Sequence, residues 1–196
     1  MSPLILAEDG SHFDHRVGAR VHQVLPGDHL VIADPDAAVC TLLGSCVAAC
    51  IRDTTTGVGG LNHFLLPGSD QSQSARYGAF AMEVLINEIL GQGGRRERLE
   101  AKIFGAAESI SGSHSRSVGS KNAAFARHYL ETEGIPVVAA DLGGTSGRRI
   151  YYFPSTGMVR VQYLAALESR AAEAQEARYR KTLGSAPVAG AVELFG

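Results

Sequence analysis

The chain is poor in the features that announce most functions. Its 196 residues include three cysteines, an odd and small number that excludes a disulfide scaffold and fits free thiols in a reducing compartment. Apolar runs stop after about five residues, and the first residues carry Glu8 and Asp9 instead of a basic stretch. Neither a secretory signal nor membrane insertion is therefore expected, and the protein is read as cytoplasmic. Charge of one sign is not in excess: 18 basic against 20 acidic side chains leave a formal net charge of −2, so no global field draws nucleic acid or anionic lipid. The short arginine groups Arg95-Arg96 with Arg98, and Arg148-Arg149, read as solvated loops, and no nucleic-acid partner is expected. Gly143-Gly144-Thr145-Ser146-Gly147 lacks the lysine of a phosphate loop. Gly91 to Gly94 follows a helix where a dinucleotide fingerprint follows a strand. Both are read as turns, and no cofactor is expected.

What is present is a hydrophobic fraction of 45%, enough for one domain with a single core. Residues 1–20 read as a loosely ordered leader, 21–163 as the domain, and 164–196 as an Ala/Glu/Arg helix with a flexible tail. Within the domain, Val21 to Leu25 and Leu30 to Ala33 are short strands around a Pro26-Gly27 turn. Ala38 to Leu43 is a further strand, and Val47 to Ile51 and Val58 to Leu66 form a hairpin about Asp53 to Gly57. Tyr77, Phe80, Ala81, Val84, Leu85 and Ile89 recur at helical spacing up to the Gly91 stop. Ala101 to Phe104 is a strand, Asn122 to Leu130 a second helix and Ile135 to Ala139 the next strand. Ile150 to Phe153 and Met158 to Val161 make a second hairpin. Strands, helix, strand, helix, strands imply an α/β (α+β) layered sandwich, a mixed sheet with packed helices. In the tail, Glu176 and Arg180 form an i,i+4 pair on a solvated helix anchored by Tyr179 and Leu183. Val192 to Phe195 is a frayed terminus or a docking peptide, and His114 lies in a polar linker over 111–117 that suits a lid.

The chemistry concentrates at Thr41-Leu42-Leu43-Gly44-Ser45-Cys46 and Leu61-Asn62-His63-Phe64. One thiol after a small-residue turn and one imidazole within hairpin range are the minimum for cysteine nucleophilic catalysis. A four-residue loop at Asp53 to Thr56 places Cys46 opposite His63, with Cβ atoms roughly 5 Å apart. A slip of two keeps them on one face as diagonal neighbours, and a slip of one separates them. Gly44 and Ser45 allow substrate to approach and leave amides free for an oxyanion. Thr41 is placed to orient the imidazole. Cys40 and Cys50 are read as packing residues. Cys46 and Cys50, four apart on a strand, lie about 13 Å from each other and cannot share a zinc ion, so no metal is expected.

The ordered motifs Leu25-Pro26-Gly27, Ala33-Asp34-Pro35, Thr41 to Ala48, Asn62 to Pro67, Arg76-Tyr77-Gly78, Lys102 to Gly105, Gly119-Ser120-Lys121-Asn122 and Gly134 to Val138 resemble CheD, the family of chemoreceptor glutamine deamidases of bacterial chemotaxis. The resemblance covers roughly residues 20 to 163. It implies an α/β sandwich related to cysteine deamidase toxins, with Cys46, His63 and Thr41 as catalytic residues; by strict spacing Cys40 is the alternative to Thr41. Phe104-Gly105-Ala106-Ala107-Glu108 departs from the glycine pair and asparagine of many relatives. The implied reaction converts glutamine side chains of methyl-accepting chemotaxis proteins to glutamate through a cysteine thioester, with receptor cytoplasmic helices as substrate. A CheC-type phosphatase is a further implied partner. The alternative function is a noncatalytic adaptor that binds receptors or that phosphatase.

Overall fold

The computed structural model describes residues 10–66, 71–108 and 118–185. The His114 linker and the Val192 to Phe195 tip lie outside them. The described strands are β1 (His12–Asp14), β2 (Ala19–Gln23), β3 (His29–Ile32), β4 (Ala37–Leu43), β5 (Val47–Asp53), β6 (Gly59–Phe64), β7 (Leu99–Gly105), β8 (Val137–Leu142), β9 (Arg148–Phe153) and β10 (Met158–Tyr163). The helices are α1 (Gln71–Gly91), α2 (Val118–Thr132) and α3 (Ala166–Ser185). Two five-stranded sheets result, in the orders β1-β2-β4-β9-β10 and β3-β6-β5-β7-β8. Both are mixed: β2 runs parallel to β4, β7 runs parallel to β8, and the other pairs are antiparallel.

Alternation along the strands explains why these two sheets stack. On β5, Val47, Ala49 and Ile51 pack with Met82, Leu85, Ile86 and Ile89 of α1 and with Ala126 and Leu130 of α2. Its other face presents Ala48 and Cys50 to an inter-sheet core with Val39 and Leu43 of β4, Leu61 of β6 and Ile150 and Tyr152 of β9. The layers are therefore α1 and α2, then the β3-β6-β5-β7-β8 sheet, then the β1-β2-β4-β9-β10 sheet. The opposite face of β4 carries Ala38 and Cys40 into a smaller cluster with Val21 and Tyr151.

The strands expected either side of Pro26-Gly27 are present, one in each sheet. Two expectations are corrected. The leader is built into the fold from His12, which pairs with Val21. The buried Asp14 there accepts from the Arg16 side chain and from the Tyr151 hydroxyl. Arg148 is not solvated: it is 1% exposed, with its guanidinium on the carbonyls of Asp141 and Gly143. Among the described residues no helix is long and apolar enough to cross a membrane.

The β5–β6 hairpin differs from the expected register by two residues: Val47 pairs with Phe64, and Ala48 with His63. The cause is Asp53, which extends the ladder through Asp53 N donating to Val58 O at 2.9 Å. Its carboxylate accepts from the amides of Thr55 at 2.8 Å and Thr56 at 2.9 Å, and from Arg95 N at 2.8 Å. Burial alone would push this carboxyl up, but the amides of Thr56, Arg95 and Thr55 and the Arg98 guanidinium outweigh it and hold it at about 2 against an ordinary 3.8. A depressed carboxylate stabilises the fold above its ordinary pKa, and the contribution is lost as pH falls from about 4 towards 2. Asp53→Asn should therefore cost about 2 kcal/mol at pH 7, with a gap to wild type that closes towards pH 2 in urea denaturation. A gap that stays constant with pH would refute this.

Candidate functional site

The turn between β4 and β5 is held from one side. Ala107 N donates to Gly44 O and Ala106 N to Cys46 O, both at 2.7 Å, and Asn122 Nδ2 of α2 donates to Ser45 O at 2.8 Å. With three successive carbonyls bound there, the three successive N–H groups of Gly44, Ser45 and Cys46 converge on the other side, a concavity of backbone dipoles that suits an anion. Its wall needs two unusual conformations. Gly105 has φ 113°, and a Cβ there would run into the Cys46 carbonyl. Ala106 has φ 58°, a left-handed conformation costing about 1 kcal/mol at a non-glycine residue.

The concavity is filled by the carboxylate of Glu176, from α3. Gly44 N donates to Oε1 at 2.7 Å, Cys46 N to Oε1 at 3.2 Å, Ser45 N to Oε2 at 2.8 Å and the Ser45 hydroxyl to Oε2 at 2.8 Å. A Cβ at position 44 would stand 3.0 Å from Oε2, so glycine admits the carboxylate. Glu176 is 2% exposed. Burial pushes its carboxyl up, yet the neighbouring His63, the Cys46 thiol and the Gly44 amide pull it down to about 2, so the seat holds a charged carboxylate.

Cys46 and His63 sit at the edge of this concavity. The two-residue slip leaves them diagonal neighbours on the face of their sheet that looks at β4. The Cys46 sulfur, a His63 ring nitrogen and a Glu176 oxygen all lie within 4.8 Å of one another. Thr41 comes from the other sheet. It lies on the face of β4 shared with Val39 and Leu43, while Cys40 points the opposite way into the cluster with Tyr151. Thr41 Oγ1 donates to Val24 O at 2.8 Å and also lies 2.8 Å from His63 Nδ1. A carbonyl can only accept, so the hydroxyl proton is committed to Val24 and Nδ1 must donate to Thr41. In the neutral ring, Nε2 is then the nitrogen with the lone pair, and it is the one turned to the site. It has no hydrogen-bond partner and stands 3.9 Å from Glu176 Oε1.

The histidine is held at both main-chain groups, with Gly27 N donating to His63 O at 2.7 Å and His63 N to Asp28 O at 2.9 Å. Asn62, one residue away, points to the helical side, where its Nδ2 donates to Ala81 O at 2.9 Å. Thr41→Val keeps the shape but leaves the Nδ1 proton without an acceptor and the tautomer unfixed. The expected outcome is a stability loss of about 1–3 kcal/mol in urea denaturation and a fall in kcat of about tenfold with KM unchanged. An unchanged kcat would remove Thr41 from any positioning role.

All three cysteines are free and buried. Burial pushes Cys40 up to about 12 and Cys50 further, as suits packing residues. Cys46 is also raised well above its ordinary value, by burial first and then by the Glu176 charge and hydrogen bond, so with Glu176 seated the sulfur is a thiol and not a thiolate. Cys50 belongs to the inter-sheet apolar core. The donors that do converge, Cys46, His63 and Glu176, have metal-ligand types. However, three N–H dipoles aimed at the carboxylate make this an anion's seat, unfavourable to a cation.

Two residues at the site lie outside the set that the sequence marks as catalytic. Asn122 bridges the turn to Leu66, whose N donates to Asn122 Oδ1 at 3.0 Å. Glu176, expected beside Arg180 on a solvated helix, is instead buried, and Arg180 Nη2 lies 3.5 Å from the Ser45 hydroxyl. A signal existed. Glu176 lies three residues before Tyr179 and seven before Leu183, on the same helical face as both anchors.

The family described as CheD chemotactic sensory transduction matches residues 65–163. A Methylobacillus flagellatus protein named "Probable chemoreceptor glutamine deamidase CheD" is 46% identical over 191 residues, 94% of either chain. One of the same name from Xanthomonas campestris pv. campestris is 45% identical over 198 residues and covers 100% of both chains. Another from Bordetella petrii is 52% identical over 158 residues, 79% of this chain and 71% of its own. Among solved structures, a Neisseria meningitidis protein of family DUF152 is similar at TM-score 0.42 and 14% identity, covering 67% of this chain and 65% of that one.

Proposed function

Since the chain belongs to the CheD family, we propose that it deamidates glutamine side chains of bacterial chemoreceptors, converting each carboxamide to a carboxylate and releasing ammonia. The observation that supports this most directly is the convergence of a thiol, an imidazole that turns Nε2 to the site, and three successive amides on one carboxyl-sized seat. Cys46 supplies the nucleophile, His63 the proton transfers and Gly44, Ser45 and Cys46 the oxyanion donors. Thr41 positions the imidazole.

A substrate carboxamide enters the seat with its oxygen on the amides of Gly44 and Cys46. His63 Nε2 takes the thiol proton, and the sulfur attacks the carboxamide carbon. The C=O electron pair moves to oxygen, where the amides receive the charge. As the C–N bond breaks, His63 gives its proton to the departing nitrogen, and ammonia leaves a thioester on Cys46. Water then adds with its proton going to the same Nε2, the C–S bond breaks, and His63 returns the proton to sulfur. The carboxylate formed is stabilised by the donors that now hold Glu176.

The substrate segment is a receptor cytoplasmic helix, the compartment is the cytoplasm, and the resemblance adds a CheC-type phosphatase as a second partner. Intact-mass measurement of a receptor cytoplasmic fragment tests the reading. Wild type should add about 1 Da per converted glutamine, and Cys46→Ala none. Binding of the fragment by both proteins with no mass change from either would replace the enzyme by the noncatalytic adaptor.

A further inference from the structure

The carboxyl group in the reactive seat is the protein's own, presented from a helix, and a glutamate side chain is what glutamine deamidation makes. We propose that α3 is a built-in product mimic, lying where a substrate helix binds with Glu176 in the place of the newly formed glutamate and competing in cis with the receptor. This rests on the deamidase reading and adds to it the shape of the substrate and a control on access.

The seating of α3 defines what the surface recognises. Its inward face is Ser169, Ala172, Glu176 and Tyr179, at spacings of three and four. Ala172, one turn before the glutamate, is 2% exposed and lets the helix backbone come close. Tyr179, one turn after it, lies against Gly27 and hydrogen bonds the Tyr77 hydroxyl. The preferred substrate is accordingly a helical glutamine with a small residue four positions earlier. Beyond Tyr179, the seat formed by Gly27 and Tyr77 continues into a cleft of about 600 Å³ that His63 and Phe80 also line. Phe80 is 64% exposed, leaving apolar surface for a helix that runs further than α3.

The same packing makes α3 displaceable. Leu167 is 80% exposed, and the inward face carries no large aliphatic side chain from Ser169 to Tyr179. A gap of about 180 Å³ remains beside Glu173 and Ala177, against Ser45 and Ala107. The polar cluster about Glu176 holds the helix down together with Tyr179 on Tyr77, Gly147 N on the Ser169 hydroxyl and Arg149 on Glu168, and such a cluster is what a competing helix with the same side-chain group can replace. While it is seated, Cys46 is fully buried and unreactive.

The decisive variant is E176Q in the full-length protein, which presents a carboxamide to the site in cis. With the carboxamide oxygen kept on Gly44 N and Cys46 N, the Ser45 hydroxyl can turn and accept from the amide nitrogen, while Ser45 N, which donates to the same carboxylate oxygen, gives up its acceptor. Sulfur attacks the side-chain carbon, the C–N bond breaks, ammonia leaves with the proton carried by His63, and water then cleaves the thioester. The expected result is a gain of about 1 Da, localised to position 176 by fragmentation and absent when Cys46→Ala is combined with E176Q. In parallel, Glu176→Ala should raise kcat/KM on a receptor cytoplasmic fragment by about tenfold, because the open form no longer has to be borrowed from a minor population. Cys46 alkylation by iodoacetamide should accelerate with it. If wild type deamidates the fragment while E176Q keeps its mass, α3 is not seated as a substrate helix and the proposal falls with the deamidase reading intact. A fall in kcat/KM for Glu176→Ala would make Glu176 part of the machinery and equally overturn it. If neither the fragment nor position 176 is ever converted, the deamidase reading itself fails.

Discussion

Changing Cys46 to alanine is expected to lower kcat/KM on a receptor fragment by about 10⁴-fold or more, followed as ammonia release or mass gain. The size follows from what is lost. Without sulfur there is no thioester, and water has to attack a resonance-stabilised carboxamide directly. Only positioning and the amides of Gly44, Ser45 and position 46 remain to lower the barrier, and these survive because they are backbone groups. The loss is not a folding defect: the sulfur faces a core of Ala48, Leu65 and Phe104, and removing one buried atom costs about 1 kcal/mol. Thermal denaturation of the variant should therefore remain cooperative and near wild type. Residual turnover within about tenfold of wild type would mean that Cys46 is not the nucleophile.

His63→Gln should lower kcat/KM by about 10²- to 10⁴-fold, the usual worth of a positioned general base and acid. Four proton transfers pass through Nε2, from the thiol, to the departing nitrogen, from water and back to sulfur, and a carboxamide side chain performs none of them. Thr41 accepts the Nδ1 proton, so the imidazole presents its basic nitrogen to the site without any charged partner behind it. A glutamine at position 63 can still donate to Thr41, which separates loss of chemistry from loss of packing. The check is single-turnover thioester formation, measured as acid-stable adduct on Cys46. Adduct forming at the wild-type rate in His63→Gln would place the base elsewhere.

The periodicities that located the elements are local properties. The alternation in Val47 to Ile51, the helical spacing of Tyr77 to Ile89 and the Pro154-Ser155-Thr156-Gly157 turn each depend on neighbours in the chain, and the structure places a strand, a helix and a hairpin there. The hairpin register slipped by two because a single carboxylate, Asp53, captured turn amides and lengthened the ladder. Such a bond is not visible in hydrophobic pattern. Cys46 and His63 stayed on one face only because the slip was even.

The residues themselves determined that a thiol and an imidazole would share one side of a hairpin, that Gly44 and Ser45 would leave amides available, and that the chain resembles CheD. Those are matters of spacing over a few dozen residues and of side-chain chemistry. That Thr41 and not Cys40 reaches the imidazole was decided by stacking two sheets, since strand alternation gives a face but not its partner. That Glu176 fills the seat was decided by docking a helix across more than a hundred residues of chain. A glutamate among alanines and arginines reads as solvated until a converging set of backbone donors compensates its burial, and those donors exist only in the folded molecule.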